Sequence, residues 1–217
     1  MIKSAGSPGL PSTSNIRKRR SIEEFDNGAP LGSAVVSYRE KSEPDEREEM
    51  GRSMRLYLMR HGIAIDREDP DCPPEAERFL TPKGVQRTRA AARGLRALRV
   101  KPTTLLTSPY VRAVQTGEII CEVLGLDCKQ LQTTDALKPE AKPGKLVEEL
   151  ARLSGEVICF GHAPHMDEFI AHALKATAPF TSLKKAGAAC LDIDSLTPLR
   201  ATLFWLLTSR ILRRLGD

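Results

Sequence analysis

The chain has 217 residues, 41% of them apolar, which is enough for one ordinary domain with its own core. Its 33 lysines and arginines exceed its 28 aspartates and glutamates, giving a formal net charge of +5. No apolar run approaches the roughly 20 residues that span a bilayer, and no basic run is interleaved with aromatic residues as a nucleic-acid surface requires.

Residues 1–53 hold nine basic and nine acidic residues, so the whole surplus lies in residues 54–217, with 24 basic and 19 acidic. A basic catalytic domain favours anionic substrates, although a surplus this small is also ordinary surface charge. Residues 1–53 are rich in glycine, serine, proline and charge. Burial in such a segment cannot offset its ordering entropy, so it is expected to be disordered. Met54 falls just before the first apolar run, so an untranslated extension is the other reading. Lys18-Arg19-Arg20-Ser21 is read as a solvated tail rather than a docking or modification site. No hydrophobic segment follows these basic residues, which argues against a secretory signal. Cys72, Cys121, Cys128, Cys159 and Cys190 form no CxxC pair and are odd in number. They suit small apolar residues in a reducing compartment, and the expected location is the cytoplasm.

From Arg55 the elements alternate. Arg55–Met59 reads as a strand, and residues 63–80 as a loop rich in Asp, Glu and Pro. Thr81 and Pro82 suit a helix cap and first helical position. That helix is predicted to reach about Leu98, with Val85, Ala92, Leu95 and Leu98 inward and Lys83, Arg87 and Arg96 outward. Thr103–Thr107 reads as a strand. Pro109 opens a helix that turns Val111, Val114, Ile119 and Val123 inward and stops near Gly125. A short strand at Gln130–Thr133, an amphipathic helix at Gly144–Leu153 and a buried strand at Glu156–Phe160 follow. A helix from about Pro164 to Lys175 precedes late strands at Ala188–Ile193 and Ala201–Leu207. The last of these could equally be helix, because Phe204-Trp205-Leu206-Leu207 does not alternate. The order predicts an α/β fold with a mostly parallel sheet and helices on both faces.

Three segments carry the chemistry. Arg60-His61-Gly62 follows the apolar run Leu56-Tyr57-Leu58-Met59. Ser108-Pro109-Tyr110-Val111-Arg112-Ala113-Val114-Gln115-Thr116 and Phe160-Gly161-His162-Ala163-Pro164 follow the two later buried strands. Each motif therefore sits at the carboxyl edge of a strand, where open α/β sheets hold their ligands. Together with Leu80-Thr81-Pro82, this order resembles the histidine phosphatase superfamily, and most of all its SixA-type phosphohistidine phosphatases. The resemblance covers nearly all of the chain after residue 53. It implies a three-layer α/β/α sandwich of the phosphoglycerate-mutase-like type, in a single catalytic domain over residues 54–217.

It also implies site roles. His61 would be the nucleophile, neutral and able to take a phosphoryl group in line. Neighbouring arginines should push its pKa down. Arg60 and Arg112 would hold the phosphoryl oxygens, because guanidinium forks match phosphate and offset charge on the equatorial oxygens. His162 would donate to the same group, with the Ala163 amide nearby at a helix start. Gly62 and Ser108 would shape the pocket through their backbones. Glu140 is the candidate general acid, with Asp66 and Glu68 as alternatives and a solvated loop carboxylate as the bland reading of each. A phosphohistidine substrate needs a dedicated acid less, because its P–N bond is labile. His165 and His172, seven residues apart, are read as partly exposed structural residues, and no third ligand supports a metal there.

No cofactor is implied, and hydrolysis is expected to persist in chelator. The expected function is metal-independent phosphatase chemistry through a phosphohistidine intermediate. The expected partner is a phosphohistidine-bearing signalling or phosphotransfer protein, with neither nucleic acid nor membrane involved. A phosphatase for small phosphomonoesters and a non-catalytic phosphate-recognition module remain as alternatives.

Overall fold

Apolar side chains at consecutive positions from Leu56 to Met59 suit a strand covered on both faces, and Met54–Arg60 forms β1. The structure, a computed structural model, describes residues 54–217, and the expectations for residues 1–53 lie outside the described residues. Helix α1 (Pro82–Ala97), β2 (Thr104–Thr107), α2 (Val111–Leu124) and β3 (Leu131–Thr133) follow. Then come α3 (Pro143–Leu150), β4 (Glu156–Gly161), α4 (His165–Ala173), β5 (Ala188–Leu196), β6 (Leu199–Leu207) and α5 (Ser209–Leu215).

The six strands form one sheet in the order β3-β2-β4-β1-β5-β6. The pairs β3–β2, β2–β4 and β4–β1 are parallel, and the pairs that add β5 and β6 are antiparallel. The mostly parallel sheet is thus borne out, with an antiparallel edge. Strand alternation divides the core. Leu56, Leu58, Val157 and Cys159 pack with Leu146 and Leu150 of α3 and Phe169 and Ile170 of α4. Tyr57, Met59, Ile158 and Phe160 pack with Ala91, Ala92 and Leu95 of α1, Ile120 of α2 and Leu212 of α5. The result is the three-layer sandwich that the motifs imply.

Caps fix where the helices start and stop. The Thr81 hydroxyl accepts the Gly84 amide at 3.0 Å at the start of α1. Gly125, at φ 71°, closes α2 in the left-handed conformation. Two expectations need correction. Leu98 does not face the core; it lies just past the last turn of α1 and is 37% exposed, while Val100 takes the buried place. Helix α5 was not anticipated, because seven residues with three arginines show no clear apolar period. It packs on α1 so closely that a Cβ on Gly94 would collide with the Leu212 backbone. The ambiguous run Phe204–Leu207 is strand, at the sheet edge. All five cysteines are free, and Cys121, Cys159 and Cys190 are buried as expected of small apolar residues.

Candidate active site

Parallel register brings the three motifs to one edge. Arg60 pairs with Gly161, so His61 and His162 are the next residues of neighbouring strands. Thr107 pairs with Phe160, which sets Ser108 beside them. Two amide bonds continue the ladder past the strands: His61 N to Gly161 O at 3.0 Å and Ser108 N to Phe160 O at 2.9 Å. The two imidazole centroids lie 5.1 Å apart. Arg60, His61, Arg112, His162 and Ala163 all line one cavity of about 570 Å³.

His61 is 7% exposed, and its Nδ1 lies 2.7 Å from the Gly62 carbonyl oxygen. A carbonyl can only accept, so Nδ1 carries the proton and Nε2 keeps its lone pair. Arg112 Nε donates to that lone pair at 3.3 Å. Burial pushes the pKa of His61 down to about 3, with Arg112, Arg60 and Lys185 lowering it further against the Gly62 bond. The imidazole is therefore neutral at ordinary pH, with its basic nitrogen set among cations.

Gly62 acts through its backbone. It is buried behind His61 and is not among the residues lining the cavity. Its N–H donates to Thr116 Oγ1 at 3.0 Å, and Thr116 in turn donates to the Arg112 carbonyl at 2.7 Å. A Cβ at Gly62 would collide with Thr88 Oγ1, so only glycine fits between β1 and α1. Its carbonyl orients the His61 ring.

Arg112 opens α2 with its side chain buried, and the loop over residues 66–80 holds its fork. Nη1 donates to the Glu75 carbonyl at 2.6 Å, and Nη2 to Glu75 Oε1 at 2.9 Å. Glu75 also accepts from Arg78 Nη1 at 3.0 Å and from Arg67 Nε at 2.9 Å. These cations, Arg67 first, hold the Glu75 carboxyl well below the usual range. The Arg112 guanidinium also lies 5.0 Å from the Tyr110 ring centroid, and Tyr110 meets His162 edge-on at 5.1 Å. Glu75, Arg78 and Tyr110 line the cavity, and sequence reasoning missed all three. Tyr110 and the Glu-x-x-Arg spacing just before Leu80-Thr81-Pro82 were the available signals.

Ser108 departs from expectation, acting through its side chain: Oγ lies 2.9 Å from His162 Nε2. Arg60 is held from below, its Nη1 donating to the Leu183 carbonyl at 3.0 Å. Leu183 is anchored by the buried Asp167 of α4, which accepts the Leu183 amide at 2.9 Å and the Thr181 hydroxyl at 2.7 Å. Glu140, Asp66 and Glu68 all reach the cavity lining, and Glu140 is exposed. His165 is fully buried rather than partly exposed, because the first turn of α4 tucks beneath the site. Only His172 is exposed. Among the described residues no group of three His, Cys, Asp or Glu side chains is placed to hold a metal ion.

Comparison with known proteins identifies the family and the fold. The profile of the histidine phosphatase superfamily (branch 1) matches residues 56–144. An uncharacterised protein of Picosynechococcus sp. is 36% identical over 140 residues, spanning 62% of this chain and 82% of that one. The phosphohistidine phosphatase SixA of Escherichia coli K12 is 29% identical over 134 residues, spanning 58% and 78%. A structure of the protein histidine phosphatase SixA complexed with tungstate superposes with a TM-score of 0.66 at 24% identity. That match covers 73% of this chain and 99% of the other, and shows the same fold. The chain belongs to the histidine phosphatase superfamily.

Two predictions follow from the site's electrostatics. Burial lowers the pKa of His61, His162 and His165 in the folded chain. The unfolded chain takes up protons near pH 6.5 that the fold refuses, so stability present above that pH is lost as pH falls. His61 and His162 should each cost about 1.4 kcal/mol between about pH 7.5 and 5.5, or about 3 kcal/mol together, with His165 acting in the same direction. Urea melts at the two pH values check this, and equal midpoints would refute it. Glu75→Gln weakens the hold on Arg112 and removes a negative charge beside the anion site. We predict that kcat falls roughly tenfold while inorganic phosphate inhibits at lower concentration. Unchanged values of both would show that Glu75 does not set the Arg112 fork.

Proposed function

We propose that this member of the histidine phosphatase superfamily is a protein phosphohistidine phosphatase that works through a phosphorylated His61. The observation that carries the proposal is the unprotonated Nε2 of His61, whose lone pair accepts from Arg112 Nε until phosphorus takes that place. The Gly62 carbonyl fixes the tautomer, and a guanidinium stands 3.3 Å away.

In the first step the Nε2 lone pair attacks phosphorus in line, while the electron pair of the substrate P–N bond returns to the substrate imidazole. That ring leaves after taking one proton, from water or from Glu140 at the cavity mouth. Arg60, Arg112 and His162 surround the transferring group, where cations and N–H donors offset charge on its oxygens. His61 keeps its Nδ1 proton on Gly62, so the phosphorylated ring is cationic and a good leaving group. In the second step water attacks phosphorus, the P–Nε2 bond breaks, and orthophosphate leaves with the water's oxygen. The proton taken in the first step is then returned.

A protein substrate is supported by the short connections at this edge. Three residues link β2 to α2, and three link β4 to α4. The longer segments at this edge are residues 61–81, tied down beside the cavity by Glu75 and Arg78, residues 134–142, and residues 174–187, anchored through Leu183 to Asp167. A side chain projecting from a folded partner can enter such a site. The similarity to SixA at 29% identity points to the same substrate class.

His61→Ala is expected to lower turnover of a phosphohistidine protein by roughly 10³-fold or more while the thermal midpoint is retained. On a panel of one phosphohistidine protein, sugar phosphates and nucleotides, the wild-type chain should favour the first in kcat/KM. A His61→Ala variant that keeps its activity would overturn the mechanism. A preference for sugar phosphates or nucleotides would overturn the substrate class.

A further inference from the structure

A second cleft, of about 640 Å³, opens beside the catalytic cavity and shares Arg60 and Lys185 with it. Its charged lining is Arg60, Arg87, Lys184, Lys185, Arg210 and Arg213, with no carboxylate among the lining residues. The catalytic cavity is different, because four carboxylates temper its cations there. We propose that this cleft docks an acidic segment of the phosphoprotein substrate, a proposal that rests on the phosphohistidine phosphatase reading.

The six cations come from four parts of the chain. Arg60 ends β1, Arg87 lies on α1, Lys184 and Lys185 precede β5, and Arg210 and Arg213 lie on α5. They meet because α5 folds back on α1 at Gly94, where the backbones nearly touch. Among the described residues Arg87, Lys184, Lys185, Arg210 and Arg213 form no ion pair, whereas Arg89 and Arg93 nearby pair with Glu122 and Asp217. Uncompensated like charges in a cleft repel one another and focus a positive field on its mouth. A further hollow shares Arg87 and Arg213 and adds Lys83, so the positive strip leads away from the catalytic cavity.

A strip that starts at the phosphoryl site suits successive carboxylates beside a phosphorylated histidine. The cleft lining contains no aromatic side chain, so bases would find nothing to stack on. An acidic protein segment therefore fits better than single-stranded nucleic acid. At about 3.3 Å per extended residue, four to six acidic residues span about 13–20 Å.

The test uses the full chain and two synthetic phosphohistidine peptides, one followed by six glutamates and one by six serines. The glutamate peptide is expected to show roughly tenfold higher kcat/KM, carried by KM. The advantage should fade between about 0.05 and 0.5 M salt. Arg87→Glu with Arg210→Glu should erase the advantage and leave the serine peptide unchanged. Lys184→Gln with Arg210→Gln alters only exposed residues, so it preserves the fold, and it should reduce the advantage severalfold. Equal rates on both peptides, or an advantage that survives these variants, would overturn docking alone. Tight oligothymidylate binding that the cleft variants abolish, with no advantage for the glutamate peptide, would assign the cleft to nucleic acid instead. If the wild-type chain hydrolyses neither peptide, the phosphohistidine reading itself fails and docking with it.

Discussion

Everything at the catalytic edge depends on the register of two parallel strands. The pairing of Arg60 with Gly161 makes His61 and His162 neighbours, and the His61 amide extends the ladder by one bond to the Gly161 carbonyl. Side-chain direction alternates along a strand, so a slip of one residue would turn each imidazole to the opposite face. Leu56, Leu58, Val157 and Cys159 are buried against α3 and α4, which makes such a slip expensive in apolar exposure. The hydrophobic pattern of β1 and β4 thus specifies the meeting of two polar rings that lie outside it.

The electrostatic character of the site follows from the same arrangement. Arg60 and Arg112 stand beside His61, and burial lowers the pKa of both guanidiniums as well as that of the imidazole. A cradle of desolvated cations around a neutral ring is costly without an anion and favourable with one. Glu75 offsets part of that cost by binding Arg112, and the Leu183 carbonyl holds Arg60. The strongest cation–carboxylate contacts therefore come from a loop, whereas the imidazoles are set by the sheet. This division places the His61 imidazole by strand register and the Arg112 guanidinium by contact with a loop.

Much of this was legible in the residues themselves. Arg60, His61, Arg112 and His162 each follow a short apolar run or open a helix after one, so local pattern and fold class together place them at one edge. The helix starts at Thr81 and stops at Gly125 were equally plain, because capping is local chemistry. Glu75 was not legible: it reaches Arg112 across 37 positions through the folding-back of a loop with no regular period. His165 was misjudged because spacing of seven suggested one shared face with His172. The burial of α4 changes along its length instead, its first turn being covered and its end open. Helix α5 escaped notice for the same kind of reason, since Gly94 and not the α5 sequence permits its close approach to α1.

The central claim is that a backbone carbonyl holds His61 as a neutral ring with Nε2 facing the phosphoryl site. The most direct measurement is phosphorus–nitrogen correlation NMR on the ¹⁵N-labelled chain, quenched in alkali during turnover of a phosphohistidine protein. The account predicts a single phosphorus resonance coupled to Nε2 of His61. Phosphorus on Nδ1, on another residue, or on no residue under conditions of active turnover would contradict it.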